Sequence, residues 1–214
     1  MKKELVEQAQ IYVKQLFENE YSGHDYFHTL RVFKMATYIA NREQADLRIV
    51  QLASLLHDVD DRKLFPETYL DQRNAKTFLL ENGVDKAMID TICQIIRETS
   101  YMGTDSVVSE TFEGKCVQDA DRLDAIGAIG IARAFAYGGS HGRLIHHPDI
   151  MPNMDMGANE YISCQSTSIN HFHEKLFRLA GLMNTPTAKE IAIQRENYMR
   201  EYIAEFMAEW KGIR

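Results

Sequence analysis

The chain has 214 residues, 31 acidic against 24 basic side chains and a formal net charge of −7, with 45% of its residues hydrophobic. A chain of that size and mix folds without disulfides or a structural metal, so any metal in it needs a functional reason. The acidic balance argues against a general nucleic-acid binder, which presents a basic face. The three cysteines, Cys93, Cys116 and Cys164, form no CxxC pair, which sets aside a zinc knuckle or a disulfide framework.

In chain order, the first segment places Leu5, Ala9, Tyr12, Val13 and Leu16 at helical spacing and breaks every apolar pair with Glu, Gln or Lys. That pattern predicts an amphipathic helix over about 2–20 instead of a signal peptide. No window reaches the apolar length of a membrane span, so a cytoplasmic protein with no membrane partner is expected. Further helices are expected at about 26–42, 46–59, 69–82, 85–100, 109–136, 160–182 and 186–211. Asp71 lies near the start of the fourth, and Asn82-Gly83 supplies its stop. Thr185-Pro186 supplies an N-cap and first position for the last helix, whose alternating charges mark a solvated face. The glycines Gly127 and Gly130 suit close helix packing. The stretch of about 137–158 is long and irregular, rich in Gly, Pro, His and Met, and loops of that length are usually functional or disordered. The expectation is an all-α protein, one domain over 1–214, with additional C-terminal helices.

Three places carry chemistry. His28 lies in GHDYFHTLRVFKMA near the start of the second helix, and His57-Asp58 ends the third in IVQLASLLHDVDD. The sixth helix carries Asp119, Asp121 and Asp124 in VQDADRLDAIGA. Val117, Ala125 and Ala128 share a face with Asp121, so these polar groups should point inward beside apolar stripes. A buried carboxylate is costly unless a cation or several donors compensate it. Two imidazoles and two carboxylates without a thiolate suit one divalent ion: Mn²⁺ is favoured, with Mg²⁺, Fe²⁺, Co²⁺, Ni²⁺ or Zn²⁺ as alternatives. Four protein ligands on an octahedral ion leave about two positions for water or a phosphate oxygen. Such an ion turns water into a nucleophile and neutralises phosphoryl charge.

The ordered set His28, His57-Asp58, Asp121 resembles the H…HD…D signature of the HD-domain phosphohydrolase superfamily. The words HDYFHTLRV, LLHDVDD and DADRLDAIGA are similar to those of small bacterial HD proteins in the nucleotide-hydrolase-like branch, over about residues 20–140. The resemblance implies a helical bundle around one metal, ligated by His28, His57, Asp58 and Asp121. Asp121 is preferred to Asp119 and Asp124 for its Ala-Asp-Arg-Leu context; Asp119 lies roughly 160° away around the helix. Asp61, with Asp58, is the candidate catalytic carboxylate, placed to orient water or supply a proton. Arg31 and Lys63 are candidates to clamp phosphate oxygens, with His24 and His141 at the mouth of the site. Each has a bland alternative: His28 as a capping histidine, Asp60 and Asp61 as a solvated turn, Arg31 in a salt bridge.

The implied substrate is a small phosphorylated compound, a nucleotide by preference, with pyrophosphate released from (deoxy)nucleoside triphosphates. Nucleoside monophosphate hydrolysis and guanosine tetraphosphate-type hydrolysis are alternatives, and a homodimer is the implied assembly. A reading from another class is a non-catalytic metal- or nucleotide-sensing interaction domain; the intact ligand set counts against it.

Overall fold

The computed structural model describes residues 2–18, 25–100, 106–156 and 166–213. They form helices and connecting turns, with no strand among the described residues. The chain divides into two compact units that part inside one helix, between Asp121 and Arg122.

The first unit contains α1 (Lys2–Leu16), α2 (Tyr26–Glu43), α3 (Leu47–Leu56), α4 (Arg73–Glu81), α5 (Lys86–Thr99) and most of α6 (Phe112–Asp124). Its centre is α3, where Val50, Leu52, Ala53, Ser54, Leu55 and Leu56 are all buried. A helix apolar nearly all round has to be enclosed, and α1, α2 and α5 pack around it. Asp46 starts α3 by accepting from the backbone N–H groups of Arg48 and Ile49. On α2 the buried residues Val32, Ala36, Ile39 and Ala40 form one stripe at helical spacing.

Several helix ends differ from expectation, among them that of α1, which stops at Leu16 instead of about 20. α3 stops at Leu56, before the expected 59, and α4 begins at Arg73 instead of about 69. The chain between them runs through consecutive turns closed by backbone bonds such as Asp61 N to Asp58 O and Phe65 N to Asp61 O. Gln72, in the left-handed region at φ 52°, precedes α4. The other end of α4 follows expectation: Gly83 adopts φ 69°, and Val84 N–H returns to Leu79 O.

The expected single helix over 109–136 is two. α6 ends at Asp124, and α7 (Gly127–Ser140) starts after a break where Gly127 takes φ 78°. A left-handed φ there needs glycine. Ala125 and Ala128 therefore do not extend the face of Asp121 along one helix.

The second unit runs from Arg122 and holds α7, α8 (168–182) and α9 (Pro186–Trp210). Arg195 of α9 lays its stem over Gly127 and donates to Leu123 O, while Arg122 donates to Leu182 O. Asp124 pairs with Arg133 at 2.7 Å. At Gly130 a Cβ would sit 2.2 Å from Ala125 O, so the close approach at this glycine is to the backbone of the break that leads into α7, in place of the expected packing against another helix. Thr185 caps α9 through Ala188 N–H, ahead of Pro186. α8 contains a π turn at Phe172–Leu176, which faces Glu174 toward the irregular segment before it. That segment begins at His141, because α7 takes up 137–140. It is pinned by Ser168 N–H on Leu144 O, Asn170 Nδ2 on Ile150 O, and Asn153 N–H on Glu174 Oε1. Residues 157–165, the start of the expected 160–182 helix among them, lie outside the described residues.

Candidate metal centre

Three elements of the first unit deliver the site. His28 is in the first turn of α2, where the N-cap Asp25 accepts its backbone N–H at 2.7 Å. That fixes the backbone of a side chain that is itself fully buried. His57 forms the C-cap of α3, and Asp58 follows it directly. The C-terminal end of a helix carries partial negative charge and favours a cation. Asp121 comes from the last turn and a half of α6.

The four side chains converge. His28 Nε2 lies 3.3 Å from His57 Nε2, 3.4 Å from Asp58 Oδ2 and 3.5 Å from Asp121 Oδ1. His57 Nε2 lies 3.3 Å from Asp58 Oδ2 and 3.8 Å from Asp121 Oδ1. His28, His57 and Asp58 are buried, whereas the Asp121 side chain keeps 26% of its surface exposed. Asp121, expected inside the core, instead forms the open edge of an otherwise enclosed cluster.

The ring of His57 is oriented by its other nitrogen. Nδ1 lies 2.8 Å from the carbonyl oxygen of Ser54. A carbonyl can only accept, so Nδ1 carries the proton and Nε2 faces the cluster. Burial disfavours charge on this ring, but the carboxylates of Asp58 and Asp121 outweigh it and raise the His57 pKa from 6.5 to about 9. Two imidazole nitrogens and two carboxylates facing one point match the donor set of a divalent cation, and the ligand atoms of His28, His57 and Asp58 lie within 4.8 Å of one another, close enough to hold one. A second carbonyl-held nitrogen is the usual way a metal-ligating histidine is oriented.

The three aspartates of α6 separate clearly. Asp121 meets the histidines, Asp124 meets Arg133 in the second unit, and Asp119 is fully buried in the first. Asp61 is half-buried in the turn after the doublet, its Oδ1 accepting from the N–H groups of Lys63 and Leu64 at 2.8 and 3.2 Å. Lys63 is exposed beside it, and Arg31 is half-buried on α2 one turn past His28. His24 lies outside the described residues. His141 belongs to the second unit, stacked on Tyr137 at 3.8 Å with Nδ1 near Tyr137 O. Sequence reasoning missed Ser54 and treated Asp60 as a turn residue. Ser54 acts through its backbone carbonyl, which no side-chain pattern announces.

The all-helical fold and this histidine–aspartate cluster define an HD-type metal-dependent phosphohydrolase. The HD domain family model matches residues 25–126, and the chain belongs to that family. It is 38% identical to YpgQ of Bacillus subtilis (strain 168), an uncharacterised protein, over 97% of this chain and 94% of that one. Among solved structures, an HD-superfamily hydrolase of Bacillus thuringiensis aligns with TM-score 0.78 and 40% identity, covering 99% of both chains. B. subtilis YpgQ in complex with ADP aligns with TM-score 0.78 and 35% identity, over 97% of this chain and 96% of that one.

Proposed function

We propose that His28, His57, Asp58 and Asp121 together hold one divalent cation, Mn²⁺ by preference, and that the substrate is a nucleoside triphosphate cleaved to release pyrophosphate. The observation that carries the metal assignment is the convergence of two Nε2 atoms and two carboxylates at 3.3–3.8 Å. The nucleotide class is supported by the ADP complex of the similar YpgQ. When bound, the cation supplies Lewis acidity toward a phosphoryl oxygen and lowers the pKa of water.

The chain's own residues do the rest. Asp58 and Asp121 balance the positive charge, and Ser54 O keeps the His57 lone pair aimed inward. Asp61 has one oxygen committed to its turn; the other orients the attacking water or takes its proton. Lys63 and Arg31 are assigned to phosphate oxygens, where an exposed ammonium and a half-buried guanidinium bring flexible and fixed positive charge respectively.

The test is to strip the protein with a chelator, reload it with Mn²⁺ and assay nucleotides for phosphate against pyrophosphate. Pyrophosphate from triphosphates is expected. Absence of turnover on every phosphorylated compound, with Mn²⁺ bound, would sink the enzymatic assignment. His57→Ala and Asp58→Ala should each lose metal and activity together; metal retained in either variant rejects the ligand set, and activity that survives loss of the metal rejects the role given to the cation.

A further inference from the structure

We infer that Asp60 and Asn74 are positioning residues that hold Asp58 in its metal-binding place by clamping the turn onto the start of α4; this rests on the metal assignment above. The clamp begins with the first turn of α4. A helix leaves its first N–H groups without internal partners. Here those of Asn74 and Ala75 donate to the two oxygens of Asp60, at 3.0 and 2.9 Å, so one carboxylate spans both. Asp60 is 3% exposed. A buried carboxylate needs this compensation, and the positive end of a helix supplies it. The carboxylate is therefore a fixture of the turn, in contrast to the more accessible Asp61.

Asn74 closes the clamp from the helix side. Its Nδ2 donates to Val59 O at 2.7 Å and to Thr68 Oγ1 at 3.2 Å. Val59 and Asp60 are thus gripped at a backbone carbonyl and a side chain, and Asp58 is the next residue back. On the other side His57 ends α3. The doublet spans one short link between two rigid anchors, the α3 terminus and the α4 terminus. α4 is itself fixed at its entry, where Gln72 is buried, donates to Cys93 O at 2.9 Å and accepts from Arg97 Nη1 at 2.6 Å. A carboxylate one residue from such an anchor has little freedom to swing, which is what a metal ligand requires.

The measurement is Mn²⁺ affinity by electron paramagnetic resonance titration of wild type, Asp60→Asn and Asn74→Ala, with circular dichroism on each. In Asp60→Asn one N–H loses its acceptor to an NH₂ group. Mn²⁺ binding about ten- to a hundredfold weaker is expected, at unchanged helical content. Asn74→Ala keeps both Asp60 bonds and should weaken binding by less, and it decides the matter if Asp60→Asn fails to fold. Folded variants with wild-type Mn²⁺ affinity would overturn the clamp while leaving the metal site intact. A wild-type protein that binds no Mn²⁺ would overturn the metal assignment and the clamp together.

Discussion

A proton and a cation compete for Nε2 of His57. Without a cation, Asp58 and Asp121 hold the proton there, with the pKa raised from 6.5 to about 9. A raised histidine pKa stabilises the metal-free fold fully below pH 6.5, and that contribution disappears as pH climbs through about 9. A cation must displace the same proton, so its apparent affinity falls as pH drops below about 9, by roughly tenfold per unit where one proton is released. Isothermal titration of Mn²⁺ across that range checks this; an affinity flat with pH would show that His57 binds no metal. At this scale the sequence is informative in proportion to local context. His57-Asp58 stands at the end of an apolar helix, where a charged pair needs an explanation. Asp121 has two rivals on one helix, and only three-dimensional placement separates them. The role of Asp60 is illegible in the sequence, because its partners Asn74 and Ala75 reach it through a run of turns that has no periodicity.

Among the elements, α3 is the most constrained. Leu55 is fully buried within it, and Leu55→Ala should cost about 2–5 kcal/mol, read by denaturant titration. Gly130 of α7 has no room for a methyl group, since an added Cβ would lie 2.2 Å from Ala125 O, so Gly130→Ala should cost about 1–3 kcal/mol. A neutral effect there would show that the break between α6 and α7 yields freely. Glu98 at the end of α5 accepts from Ser109 Oγ, Glu110 N–H and Gln94 Nε2, tying the approach to α6 onto α5. Burial pushes the pKa of this carboxyl up, but those hydrogen bonds prevail and lower it. A lowered pKa adds stability above the ordinary value of 4.5, lost as pH falls through the native one. Glu98→Gln should therefore flatten the acid limb of the stability curve, measured by thermal melts between about pH 3 and 6. Helix existence is readable from period; helix ends are readable where a cap marks them, as at Asn82-Gly83 and Thr185-Pro186, and not elsewhere. The late start of α4 depends on Asp60, and the split of 109–136 depends on a left-handed Gly127 inside an otherwise helical pattern.

For the molecule as a whole, a cation at the proposed centre joins α2, α3 and α6 of the first unit. At a Mn²⁺ concentration about a hundred times its Kd the gain is about 2.7 kcal/mol. Hydrogen exchange should slow at the start of α2, the end of α3 and the last turns of α6 when Mn²⁺ is added, and equal protection with and without metal would contradict the assignment. The all-α class and the helical C-terminal region are legible from the scarcity of strand-like alternation and from helical spacing. The division within α6 is not, since Asp121 and Arg122 are sequence neighbours on one continuous helix. The exposed edge at Asp121 has a practical consequence. At the proposed centre, three buried donors backed by a fourth at the surface would make a socket open to exchange of its ion with the surroundings. Loading then follows the supply of ions as much as intrinsic preference. Protein from different growth media would arrive as different mixtures, and rates compared between batches would report their trace metals until each is stripped and refilled.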